Sequence, residues 1–192
     1  MDIKFFSDMI DTLEKIGKGL IALKKVPEKQ RKKYQEAIGE TYTLLNSAIN
    51  LVLNRLGDII LIDEQAEFFN EVKRLDNFEE WRQVEREVRL CNSLRATGRE
   101  MRRFGEKFLD KTALRNKENF SFLVFDVLEV GERELADLIG ESLYQLVEKA
   151  NKTPENSEGY KKLKRATKKM RDAFRKERMK LISAELEFYK QI

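Results

Sequence analysis

The chain has 192 residues, with 38 Lys and Arg against 34 Asp and Glu, so a 38% charged fraction nets only +4. It contains no histidine and a single cysteine, Cys91, which excludes the commonest general base, internal disulfides, zinc sites built on cysteine and histidine, and the Glu-x-x-His pattern of di-iron bundles. Two prolines and nine glycines point to long helices and few loops, an all-α fold in one helical-bundle domain over residues 1–192.

The first predicted helix lies within residues 1–25, where Ile3, Phe6, Met9, Ile10, Leu13, Ile16, Leu20 and Ile21 recur every three or four positions. Lys4, Asp8, Asp11, Lys15 and Lys18 take the opposite arc, which makes this an accessory amphipathic element. Pro27 suits the first turn of a second helix, with Glu28 beside the positive end of its dipole, and that helix is expected to run to about Ile62. It contains fourteen consecutive uncharged residues, Thr41 to Asn54, so it reads as central and covered on most sides. Asn46, Asn50, Asn54 and Asp58 follow one another at four-residue spacing. Either they line a ligand groove or, the stronger reading, they bond to neighbouring helices and set their register.

Asp63 and Glu64 open a short connecting helix through Phe68, Phe69 and Val72 that ends near Asp76. Asn77 with Glu80 has capping-box spacing and starts a fourth helix to about Asp110, rich in Arg82, Arg86, Arg89, Arg95, Arg99, Arg102 and Arg103. Alternating glutamates make ion-pair networks the default there. The apolar line through Cys91 slips register, predicting a bend near 91–98 and a core role for the thiol. Residues 111–117 read as a loop and 118–151 as a fifth helix, and Gly57 or Gly131 are the places where a long helix would break. Thr153 and Pro154 supply an N-cap and first helical residue for a basic amphipathic sixth helix over 153–192.

At 1.5 Å per residue, four of these helices measure roughly 50 to 55 Å and the first about 36 Å. The expected architecture is an elongated antiparallel bundle of four long helices, with residues 27–151 forming the body, plus the N-terminal amphipathic helix and the short connector. No secretory signal is visible and no apolar run reaches the ~20 residues of a membrane span, so a soluble, cytoplasmic chain is expected.

The sixth helix carries the main functional signal. Residues 161–180 hold eleven Lys and Arg against Asp172 and Glu177, leaving the rest of the chain acidic. Projected at ~100° per residue, Leu163, Ala166, Thr167, Met170, Phe174, Leu181, Ala184 and Phe188 share one side and the cations the other. A charged face is ordinarily solvation, but here few acids compensate it. Candidate partner-binding residues are Lys161, Lys162, Lys164, Arg165, Lys168, Lys169, Arg175 and Lys176.

The leading reading is a non-enzymatic adaptor or regulatory subunit that presents these cations to an acidic protein partner. A second is sequence-independent nucleic-acid binding, with Tyr160 near the start of the ridge and few other aromatics interleaved. A third is a membrane-perturbing bundle effector whose first helix inserts Ile3, Phe5, Phe6, Met9 and Ile10 into an interface. Self-association is left open. Spaced carboxylates (Glu64 with Glu67, Glu129 with Glu132, Glu134 with Asp137) match the magnesium pairs of all-helical nucleotide pyrophosphatases, but pairs of this kind arise by chance in a Glu-rich chain. No catalytic, metal or cofactor residue is therefore assigned.

Overall fold

The computed structural model describes residues 27–77 and 132–191, together with Ser7, Ile10, Asp11, Leu13 and Glu14. The expected fourth helix, Cys91, the 111–117 loop, Gly131 and the first part of the fifth helix lie outside the described residues. The described part is 91% helical with no strand, so the chain is all-α. Its elements are α1 (Glu28–Leu61), α2 (Gln65–Lys73) with a closing 3-10 turn (Arg74–Asp76), α3 (Glu132–Lys152) and α4 (Ser157–Gln191).

Helix α1 has 34 residues and α4 has 35, each about 50 Å long. They pack against one another antiparallel. Gly39 meets Tyr189, Tyr42 meets Phe188, Arg178 donates to Asn46, and Ile62 accepts from Tyr160, so numbers rise along α1 as they fall along α4. Ile38, Tyr42, Leu45, Ile49, Val52, Leu56 and Ile59 form the buried face of α1. Gly57 leaves α1 unbroken. Pro27 takes an extended backbone (φ −52°, ψ 137°) and stands at the cap, one position before the predicted first turn.

Two expectations about α1 need correction. The buried residues cover about half of its circumference, and Thr43, Ser47, Asn54 and Asp58 are exposed. Lack of charge had suggested burial on most sides, but hydroxyls and amides are uncharged and still prefer water. Four-residue spacing advances about 40° per step around a helix, which carries the Asn46–Asp58 stripe out of the helix contact. Asn46 bonds Arg178 at 3.2 Å, whereas Asn54 and Asp58 face solvent. Second, Arg31–Leu61 is long and apolar enough to cross a membrane by length and composition, with 41% of its most apolar window buried in the molecule. An unbroken apolar run is a stricter test than a window average, which tolerates the interspersed Thr, Ser and Asn.

The end of the pair where α1 finishes is braced by α2. Phe68, Phe69, Val72 and Leu75 are fully buried, and Phe68 meets the Tyr160 ring edge-on at 5.0 Å. Arg55 reaches Glu71 at 2.5 Å, and Lys73 reaches Glu155 in the α3–α4 turn at the same distance. At the opposite end, Ile10 and Leu13 are in the core. Ser7 accepts a hydrogen bond from Lys180 at 2.9 Å, so this helical N-terminal segment lies on the C-terminal half of α4.

Candidate functional site

Helix α4 forms because its sequence is dominated by strong helix formers, Lys, Arg, Glu, Ala, Leu and Met, with no internal proline. All eight residues of the predicted apolar line are buried, from Leu163 to Phe188. One member was missed: Glu177 falls between Phe174 and Leu181 on the same face and is only 7% exposed. Its carboxylate accepts from Lys180 at 3.0 and 3.1 Å, and the same ammonium holds Ser7. A buried charge of this kind persists only when paired.

The N-terminus of α4 also differs from expectation. Thr153 does not cap it; the hydroxyl donates backward to the Lys149 carbonyl at 2.6 Å and closes the end of α3. Asn156 caps α4 instead, its side-chain oxygen accepting from the Gly159 amide at 2.9 Å, while Pro154 stays in the turn. The two helices are thus joined by a tight link in which the Pro154 carbonyl lies where a Cβ on residue 159 would stand. Only glycine fits that approach.

The eleven cations of residues 161–180 divide into two groups. Four are committed within the fold. Lys164 turns inward, donating to the Ile62 carbonyl (3.1 Å), the Tyr160 hydroxyl (2.5 Å) and Asp63 (3.4 Å). The reason lies in α1, whose last turn has no basic residue. Lys164 supplies the positive charge that a helix C-terminus attracts, and its Tyr160 hydrogen bond, with a smaller effect from Asp63, raises its pKa above the ordinary lysine value. Lys164 is therefore a structural residue, unlike the other residues proposed beside it. Arg171 meets Asp172 at 3.7 Å, Arg178 bonds Asn46, and Lys180 holds Glu177 and Ser7.

The other seven, Lys161, Lys162, Arg165, Lys168, Lys169, Arg175 and Lys176, are exposed and make no ion pair or hydrogen bond with the described residues. Elsewhere cations do find acids: Lys32 with Glu28, Lys152 with Glu148, Arg74 with Glu71. Tyr160, read as an aromatic for base stacking, is half-buried, with its ring on Phe68 and its hydroxyl on Ile62 at 2.8 Å. Ile10 of the expected membrane-inserting set is 2% exposed; Ile3, Phe5, Phe6 and Met9 lie outside the described residues.

Where α3 meets α4 the cations face a groove of about 610 Å³, lined by Lys149, Lys161, Lys162, Arg165 and Lys169. Ala166 is its apolar lining residue and Glu158 its one carboxylate among the described residues. Lys149 comes from α3 and was absent from the predicted set. The signal for it was its position four residues before Thr153, in the last turn of a helix that the link folds back against α4.

Of the spaced carboxylate pairs, Glu129 lies outside the described residues, as do the side chains of Glu132, Glu134 and Asp137. Glu64 and Glu67 are both exposed, and among the described residues no three metal-ligating side chains converge on one point. The chain matches no protein-family model, no curated protein and no solved structure.

Proposed function

We propose that this chain is a non-enzymatic adaptor or regulatory subunit that docks an acidic protein surface on the exposed cations of α4. The observation that supports this reading is the division among those cations: four serve the fold, and seven make no ion pair or hydrogen bond with the described residues along one continuous helix. Lys161 to Lys176 spans about 22 Å of helix, long enough to meet several carboxylates at once. Unpaired surface cations of one sign steer encounter with an opposite field and add little to folding.

The proposal includes a single cytoplasmic domain in which residues 77–110 and 118–131 complete an antiparallel bundle of four long helices. In that arrangement α4 buries one face against α1 and leaves the basic face to solvent. The fold then serves as a rigid carrier for the ridge, with no reaction of its own.

The test uses the full chain and the triple variant Lys168→Glu, Arg175→Glu, Lys176→Glu, which avoids Lys164 and the groove. Wild type is expected to capture acidic protein from lysate after nuclease treatment, with retention falling between about 50 mM and about 200 mM salt. The triple variant is expected to lose it. Equal recovery by both proteins would reduce the ridge to solvation, and recovery that disappears with nuclease would transfer it to nucleic acid.

A further inference from the structure

We infer that the groove between α3 and α4 is a binding site for a small polyanion carrying at least two phosphoryl groups. Five cations, Lys149, Lys161, Lys162, Arg165 and Lys169, enter one cavity of about 610 Å³ against a single carboxylate, Glu158. A sphere of that volume is about 10 Å across, close to the ~8 Å screening length of physiological salt. Salt therefore weakens the repulsion across the groove without removing it between neighbouring cations, and none is neutralised by an acid among the described residues.

A net charge of four is matched by two phosphoryl groups, each carrying about −1.5 to −2 at neutral pH. The volume falls in the ~300–1,000 Å³ range of small-molecule sites, whereas a partner helix, about 10 Å wide, would lie over the groove without filling it. Among the described residues the lining has no aromatic ring, and Ala166 is its one apolar residue. It selects for number and placement of charges, not for a base or a sugar. Arg165 offers a fork for bidentate contact and the lysines act as point charges.

The site is also built in advance. The link sets the Lys149 backbone against the start of α4: Thr153 bonds the Lys149 carbonyl, Asn156 caps α4, and Lys73 anchors Glu155. The inference is independent of protein docking on the ridge: Lys149 belongs to the groove alone, and Lys168, Arg175 and Lys176 to the ridge alone.

Thermal unfolding of the full chain tests it, with inorganic tripolyphosphate as probe and sodium sulfate at equal ionic strength as control. At a hundredfold excess over Kd, tripolyphosphate is expected to raise Tm by about 5–10 °C more than sulfate. Lys149→Glu should abolish that difference and Lys176→Glu should keep it. Should Lys149→Glu fail to fold, Lys169→Glu and the phosphorus NMR linewidth of tripolyphosphate with wild type give the same readout. Adenosine triphosphate and inositol hexakisphosphate distinguish sources: shifts from both support a phosphoryl site, whereas a shift confined to adenosine triphosphate overturns it. No difference between tripolyphosphate and sulfate, or a Lys149→Glu response equal to wild type, also overturns it.

Discussion

Gly159→Ala probes the link that places α3 against α4. A Cβ at this position would run into the Pro154 carbonyl oxygen and stand 2.9 Å from the Thr153 methyl. The obstacle is mainly backbone, so the strain cannot be relieved by turning one side chain. Overpacking of this kind costs about 1–3 kcal/mol, and forcing the first turn of α4 away from Pro154 also weakens the Asn156 cap, at about 1 kcal/mol. Replacing a helical glycine with alanine returns about 1 kcal/mol. The expected net loss is about 2 kcal/mol, a fall in Tm of about 4–8 °C for a chain of this size. Urea unfolding followed by helical circular dichroism should show a lower midpoint at unchanged slope. Gly57→Ala is the control, because nothing lies within 4 Å of its Cβ; it should stabilise by about 1 kcal/mol. A Gly159→Ala midpoint at or above wild type, with Gly57→Ala behaving as expected, would refute the close approach of the link.

The remaining predictions concern α1 and α4. The Tyr42 hydroxyl is buried and makes no hydrogen bond with the described residues, and its pKa is raised by burial first and then by Glu14 and Glu185. Tyr42→Phe should therefore raise the urea midpoint, by about 1 kcal/mol of stability; a loss would mean that the hydroxyl has a partner. Tyr160→Phe removes the bond to Ile62 and the contact with Lys164 while keeping the ring on Phe68, at a cost of about 1 kcal/mol. Combined with Lys164→Met it should cost less than the two single changes summed, since both serve one network. Burial raises the Glu185 pKa above the ordinary carboxylate value. The folded state then binds the proton more tightly than the unfolded one, so stability falls as pH rises through the interval from the unfolded to the folded pKa. Glu185→Gln should flatten that slope and stabilise the protein at neutral pH; an unchanged profile would show that this carboxylate is solvated.

The parts of the fold that were legible in the sequence follow from helical period alone. The eight-residue line from Leu163 to Phe188 is buried because a 3.6-residue repeat places those side chains on one face whatever they pack against. What escaped depended on polar contacts, which an apolar period does not read. Glu177 occupies a core position that a pattern of apolar residues passes over, and the Lys180 ammonium that pairs with it also donates to Ser7 of the N-terminal segment. Thr153 had two compatible roles, and the carbonyl of Lys149 took it before α4 could. The asparagine stripe was read as a single environment, whereas its drift around α1 takes it from Arg178 into water.

Lys164 shows why a count of charges is a poor guide to a binding face. In the sequence it is indistinguishable from Lys161, Lys162 and Lys168, all in the same run. Its angular position separates them: at ~100° per residue it stands about 100° from Leu163, on the same side as Tyr160 at about 60°, on the edge of α4 that borders α1. There the bare C-terminus of α1 and the Ile62 carbonyl attract it, and Tyr160 holds it. Lys162 and Lys169 stand on the other edge, beside α3, where Lys149 adds another cation and Glu158 one carboxylate among the described residues. The same residue type thus stabilises the fold on one edge and accumulates unneutralised charge on the other. On that second edge, unlike the first, the charge remains available to an anion from outside the chain.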